Sequence, residues 1–343
     1  MTWLHRFSKF VVASTVLLIA AGGMVTSTGS GLSVPDWPNT YGWSMFSFPF
    51  DKMVGGILYE HGHRLIASAV GFLTIVLALW TWRVDPRRWM KRLGFAALGA
   101  VIVQGLLGGL TVLLLLPAPV SIGHAGLAQL FFCSTIAIAL FTSHGWRSAS
   151  ATADDRTLRA RAITTTCLVY LQILVGATMR HGKAGLAIPD FPLAFGSLIP
   201  PYWNAAIAMH FAHRVGAVAV LVAVLMTTAR IWTAHRTDAR LRRPALLLVA
   251  LVLVQGTLGA FVVWSGLQPV INTAHVANGA LVLGTSLVLA LRSCRPLFAS
   301  FPQRAAERRA ALKGCATTAD TAALKGCATA SGPGATAEAG GRL

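Results

Sequence analysis

Eight runs of apolar residues, each about 20 long, limit most tightly what this chain can fold into. Wound as a helix, such a run spans the hydrocarbon core of a bilayer and satisfies its backbone hydrogen bonds where no water is present. The pattern predicts spans over 9–27, 62–82, 93–116, 120–142, 161–179, 206–229, 244–265 and 270–291. Composition agrees: 55% of residues are hydrophobic and 12% charged, about half the charge of an average soluble protein. His5, Arg6 and Lys9 before the first run imitate a signal peptide. That run exceeds a signal core, and Thr26-Ser27-Thr28-Gly29 is a weak cleavage site, so it is read as a span. The expected fold class is an all-α polytopic membrane protein with eight transmembrane helices.

A net charge of +18 would suit a nucleic-acid partner if it formed a surface patch, but its placement follows the membrane instead. Lys52, Arg180 and Lys183 fall on alternate loops, and Arg64 and Arg214 begin spans. The rest of the 29 Lys and Arg lie on the N-terminal arm, the tail, or three loops around Arg88, Arg156 and Arg240. This asymmetry puts both termini in the cytoplasm of a bacterial-type inner membrane, with residues near 40 and 190 outside. It implies membrane lipid as surroundings and no nucleic acid as partner. The five cysteines, Cys133, Cys167, Cys294, Cys315 and Cys327, avoid the outer loops, and no C-x-x-C is present.

The chain is internally duplicated. Gly31-Leu32-Ser33-Val34-Pro35-Asp36-Trp37-Pro38 recurs as Gly185-Leu186-Ala187-Ile188-Pro189-Asp190-Phe191-Pro192. His63-Arg64 recurs as His213-Arg214, Gln104-Gly105 as Gln255-Gly256, and His124 as His275. Four spans separate each element from its copy, so the copies share an orientation, as in parallel-repeat membrane proteins. The expected organisation is a four-helix half over 1–147, a cytoplasmic linker over 148–159, a second four-helix half over 160–295 and a disordered tail over 296–343. The tail repeats Ala-Leu-Lys-Gly-Cys-Ala-Thr, which leaves a two-thiol metal site open. The outer loops, roughly 28–61 and 180–205, are long and aromatic, which suits functional segments at the membrane interface.

Histidine placement carries the chemistry. His63, His124, His213 and His275 each fall in the first turns of a span running inward from the outer face, so all four share a depth. A lone intramembrane His is usually an interhelical hydrogen-bond partner. Two duplicated pairs on facing helices instead suit axial ligation of haem iron from both sides. Copper or zinc is the alternative, although such sites use three or four ligands. Arg64 and Arg214 follow two of these histidines, placed either to pair with haem propionates or to snorkel to headgroups. Gln104 and Gln255 near mid-membrane read as interhelical bonds, with Gly105, Gly108, Gly109, Gly256 and Gly259 allowing close approach. His5, His144, His181 and His235 read as solvated or structural. The halves differ at one informative place: Glu60 precedes His63 by three residues, whereas His210 precedes His213. An acid beside one pocket and an imidazole beside the other suggest one reactive and one redox site; a solvated acid at the lip of span 2 is the plainer reading of Glu60.

The ordered set Glu60-His61-Gly62-His63-Arg64, His124, His213-Arg214 and His275, with its duplicated Pro-Asp-aromatic-Pro loops, resembles the haem A synthase family over roughly residues 5–295. The resemblance implies an oxidase that converts a ring methyl of haem O to a formyl group. It implies Glu60 as catalytic acid, His63 and His124 flanking the substrate haem, and His213 and His275 holding a haem b cofactor. It also implies an electron donor protein and the farnesyltransferase that makes haem O as partners, and leaves a homo-oligomer open. Some members carry two cysteines in the first outer loop; this chain has none there, so no thiol step there belongs to its mechanism. A di-haem cytochrome b serving quinone would also use four histidines but leaves the Glu60/His210 difference idle. A transporter would place its polar site at mid-membrane on broken helices.

Overall fold

The computed structural model describes residues 2–148 and 154–298. Among these, the chain is helical: α1 (Thr2–Ser27), α2 (Gly56–Val84), α3 (Arg88–Leu113), α4 (Ala118–Thr142), a short α5 (His144–Arg147), α6 (Arg156–His181), α7 (Ala205–Ala234), α8 (Ala239–Trp264) and α9 (Pro269–Ser293). The eight long helices are each long and apolar enough to cross a membrane, which makes the chain a multi-pass membrane protein. β-Pairing among the described residues is confined to two isolated bridges, Thr40 with Trp43 and Ala194 with Ser197, one in each of the long loops after α1 and α6.

Helix starts are set by side chains that accept otherwise orphaned amides. Asp155 accepts from Leu158 N, Asn204 from Ile207 N and Gln268 from Ile271 N, each at 2.9 Å, and each cap contributes about 1 kcal/mol. Two boundaries differ from the sequence expectation with consequences for the site. α2 starts at Gly56, so the polar run Glu60–Arg64 lies inside the helix and not at its lip. α6 runs to His181, which puts Arg180 and His181 in its last turn and not on a loop. Both are half-buried, so His181 is not the solvated residue expected. The expected linker over 148–159 is helical from Arg156; residues 149–153 and the tail from 299, with Cys315 and Cys327, lie outside the described residues.

α1 packs on α2, α4 and α9; α6 packs on α7, α9 and α4; α3 adds to α2 and α4, and α8 to α7 and α9. The first four long helices thus repeat the neighbour relations of the last four, consistent with the duplication. One apolar cluster (Leu4, Val11, Val70, Leu77, Met90, Ile138) fills the first set, and another (Leu158, Val169, Val224, Leu248, Leu283) fills the second. Ile19, Phe132, Ile136 and Ala280 join α1, α4 and α9 between them. α4 and α9 approach closely at Gly284, where a methyl would lie 2.6 Å from Ile136 Cδ1. Arg180 crosslinks α6 to α1, donating to Gly23 O at 2.9 Å and Ser27 Oγ at 2.6 Å.

Candidate functional site

Each of the four histidines rests over a glycine of the neighbouring helix. A methyl added at Gly22 of α1 would lie 3.0 Å from His63 Cε1, and one at Gly108 of α3 would lie 3.2 Å from His124 Cε1. In the second half, Gly176 of α6 stands 2.9 Å, by the same measure, from His213 Cε1, and Gly259 of α8 stands 3.2 Å from His275 Cε1. A methyl at Gly176 would force the ring to shift, and at the other three the ring would have to give by a few tenths of an ångström, so glycine lets each ring sit where it does. Sequence reasoning took Gly108 and Gly259 as sites of helix approach and missed Gly22 and Gly176. Aligning the two copies marks that second pair as well.

The His213 and His275 ring centroids lie 6.4 Å apart, with the ring planes inclined at 66°. Two metal–nitrogen bonds of about 2 Å, plus the depth of each ring, give roughly 6 Å between centroids, so the pair has the span needed to hold an iron between them. Nδ1 of His63, His124 and His275 are buried without a partner, atoms that a polar ligand or metal would satisfy. Among the described residues no three of His, Cys, Asp and Glu come together, so a zinc or copper site of three or four such ligands has no candidate there. A bis-imidazole haem needs only the pairs present.

Glutamines reach these histidines from neighbouring helices. Gln104 Nε2 donates to His124 O at 2.9 Å and Gln255 Nε2 to His275 O at 3.1 Å. Gln172, which the sequence pattern did not single out, lies 3.0 Å from His213 Nδ1 and donates to His213 O at 2.7 Å. Asn278 braces Gln255 through its Oε1 at 2.7 Å.

One turn or less from His63 and His213, each long loop is pinned to its helix. Glu60 is 3% exposed, not solvated. Its Oε2 accepts from Val34 N at 2.7 Å and its Oε1 from Arg64 Nη2 at 2.7 Å. Arg64 also donates to the carbonyls of Val34, Asp36 and Asn39, so its guanidinium is occupied by loop backbone and Glu60, not turned out to headgroups. The second half repeats the anchor with different chemistry: Ile188 N donates to His210 Nδ1 at 3.3 Å, and Arg214 donates to the carbonyls of Ile188, Asp190 and Leu193. Arg214 Nε is buried and unpartnered.

The loop turns are built alike. Asp36 accepts from Tyr41 N and Gly42 N, and Asp190 from Phe195 N and Gly196 N. Burial pushes the Asp36 carboxyl up, but those amides and Arg64 outweigh it and hold it below the usual carboxylate range. The Gly196 and Phe195 amides hold Asp190 low in the same way. Trp37 lies flat on α3 at Gly109, where a methyl would be 2.4 Å from its ring. Thr40, expected on an open outer loop, is fully buried, bonded at 2.9 Å to His61 Nδ1. His5 and His235 have structural partners in Ala139 O and Asp155, and His144 meets Ser148.

A family model described as cytochrome oxidase assembly protein matches residues 5–287 and 204–332. A protein of Symbiobacterium thermophilum is 32% identical over 73% of this chain and 83% of its own. One from Geobacillus kaustophilus is 27% identical over 85% of this chain and 93% of its own, and one from Methylobacterium is 29% identical over 83% and 89%. All three carry the name "Heme A synthase".

Proposed function

Because this chain belongs to the haem A synthase family of cytochrome oxidase assembly proteins, and so works in haem A biosynthesis, we propose that it oxidises a ring methyl of haem O to a formyl group with a bound haem b as electron relay. The observation that carries the reading is the unequal anchor: the same loop amide meets a carboxylate, Glu60, over the first histidine pair and an imidazole, His210, over the second. A carboxylate beside only one pocket is what a single reactive site needs; electron relay needs none.

When bound, haem b supplies one-electron chemistry between donor and substrate. His213 and His275 would hold it, seated by Gly176 and Gly259. His63 and His124 would receive haem O between them, next to Trp37, which packs on α3 at Gly109 beside the Gly108 seat of His124. Glu60 holds and exchanges a proton at that pocket, and Arg64, by gripping both Glu60 and the loop carbonyls, fixes where its oxygens point. Arg214 keeps its Nε for a haem propionate. An electron donor protein and the farnesyltransferase that makes haem O complete the set of partners. Extracting haems from cells that make haem O, with and without this protein, tests the reading: haem A should accumulate only with it, and its failure to appear defeats the proposal.

The glycine seats give a second test. Alanine normally favours a helix over glycine by about 1 kcal/mol. Gly176→Ala should nonetheless remove most of the haem b absorbance, because the methyl displaces the His213 ring. Gly256→Ala, which meets nothing within 4 Å, should leave it unchanged. Equal spectra from the two variants would show that Gly176 seats nothing.

The proposed topology has both termini cytoplasmic and both long loops outside. Phe46, 79% exposed in the first loop, is the position to label. Phe46→Cys should react with an impermeant thiol reagent from the outer face, and Arg88→Cys should stay protected. The reverse pattern would invert the map.

A further inference from the structure

The two pockets grip their histidines differently. In the second, an amide is set against each histidine: Gln172 Nε2 donates to His213 O at 2.7 Å and packs 3.0 Å from its Nδ1, and Gln255 Nε2 donates to His275 O at 3.1 Å and packs 3.2 Å from its Nε2. In the first, neither ring has an amide within hydrogen-bond distance among the described residues. Gln104 reaches only the His124 carbonyl, with its own Oε1 buried and unpartnered, and no side-chain hydrogen bond from the described residues reaches His63.

The cause can be read from the repeat. Gln172 stands one turn before Gly176 on the face of α6 that seats His213; one turn before Gly22, at the matching place on α1, stands Leu18. A second position changes with it. At Gly216 a methyl would lie 2.1 Å from Gln172 Oε1, so glycine is what admits the amide. Its counterpart is Ile66, which with Leu18 packs into the apolar cluster of the first half. Likewise Asn278, which braces Gln255, has Leu127 as counterpart. Apolar side chains stand in the first half where polar latches stand in the second.

The geometry points to His63 as the ligand that gives way in the first pocket, with Gln172 and Gly216 forming the latch that holds His213 fixed in the second. The inference rests on the reading of the first half as the haem O pocket, and deepens it by naming the face on which a coordination position opens. His124 is the anchored member of its pair because its carbonyl is tied across to α3. An iron held firmly from both sides is closed to any further ligand, which suits a relay and not a site of oxidation.

Carbon monoxide, which needs a free position on reduced haem, is the probe, used on the full-length purified protein loaded with haem O. The wild type should bind it at one of its two haems. Transplanting the latch takes two changes, Leu18→Gln with Ile66→Gly, since Ile66 fills the space the amide needs. Both haems should remain, and carbon monoxide uptake should slow by about tenfold, the scale of one or two added hydrogen bonds. Leu18→Met controls for repacking and should behave as wild type. Conversely, Gln172→Leu should let haem b take up carbon monoxide, a readout that needs no haem O. His63→Ala should retain haem O through His124, whereas His124→Ala should lose it.

Unchanged uptake in the double variant with both haems in place, or a haem b still closed in Gln172→Leu, would overturn the latch. The opposite behaviour of His63→Ala and His124→Ala would assign the mobile ligand to His124 and overturn the inference for His63. Full haem O loading in both of those variants would instead defeat the reading of the first half itself, and His63 would fall with it. Gln172→Leu would still decide the latch.

Discussion

Replacing His213 or His275 by alanine is expected to strip the purified protein of its six-coordinate, low-spin b-type absorbance. In the proposed reading each would supply one of two axial bonds, and the rings stand 6.4 Å apart with no third candidate ligand among the described residues. Loss of one would leave the haem a single protein ligand, too few to hold it in a six-coordinate state. Absorbance per protein should fall by about an order of magnitude in either variant. His144→Ala serves as control, since His144 lies on the short α5 and its ring, among the described residues, bonds to neighbouring Ser148. A full haem b spectrum in both ligand variants would sink the assignment of the second half, and with it the electron relay.

Those histidines stood out because hydropathy indicates where the spans begin, and charge asymmetry gives the proposed direction of each. Four imidazoles at one depth is the expectation that follows from those two patterns. What surrounds them was not legible, for reasons that differ residue by residue. Glu60 reads as an acid at a membrane lip because hydropathy falls across Tyr59–Arg64, yet the helix begins earlier, at Gly56. The outer loop folds back to supply Val34 N, and Arg64 supplies the countercharge, so the polar run is buried and satisfied. Nothing local encodes that return of the loop. Thr40 disappears under the same fold. Gln172 escaped for another reason: the repeat calls attention to residues that recur, and this one matters because its counterpart is Leu18. Duplication made the shared histidine framework visible and hid the differences on which the proposed division of work rests.

The sharpest of those differences yields the second large effect. Glu60→Gln is expected to lower haem A formation by at least about a hundredfold while leaving the haem b spectrum intact. The amide can still accept from Val34 N, but it exchanges no proton and leaves Arg64 buried without its countercharge. That variant alone leaves two roles for Glu60 entangled, since the carboxylate both anchors the loop and handles the proton. The second half separates them. There His210 accepts the equivalent amide from Ile188 beside an equivalent arginine, Arg214, so an imidazole serves as a loop anchor in this very geometry. Glu60→His should therefore keep the loop in place, seen as unchanged protection of Thr40 and His61, and still fail to make haem A. Glu60→Asp should recover part of the activity. His210→Ala should perturb haem b and slow turnover without ending it. Near-normal haem A from Glu60→His would mean that the residue is an anchor and nothing more, and the proton would have to be handled elsewhere in the first pocket.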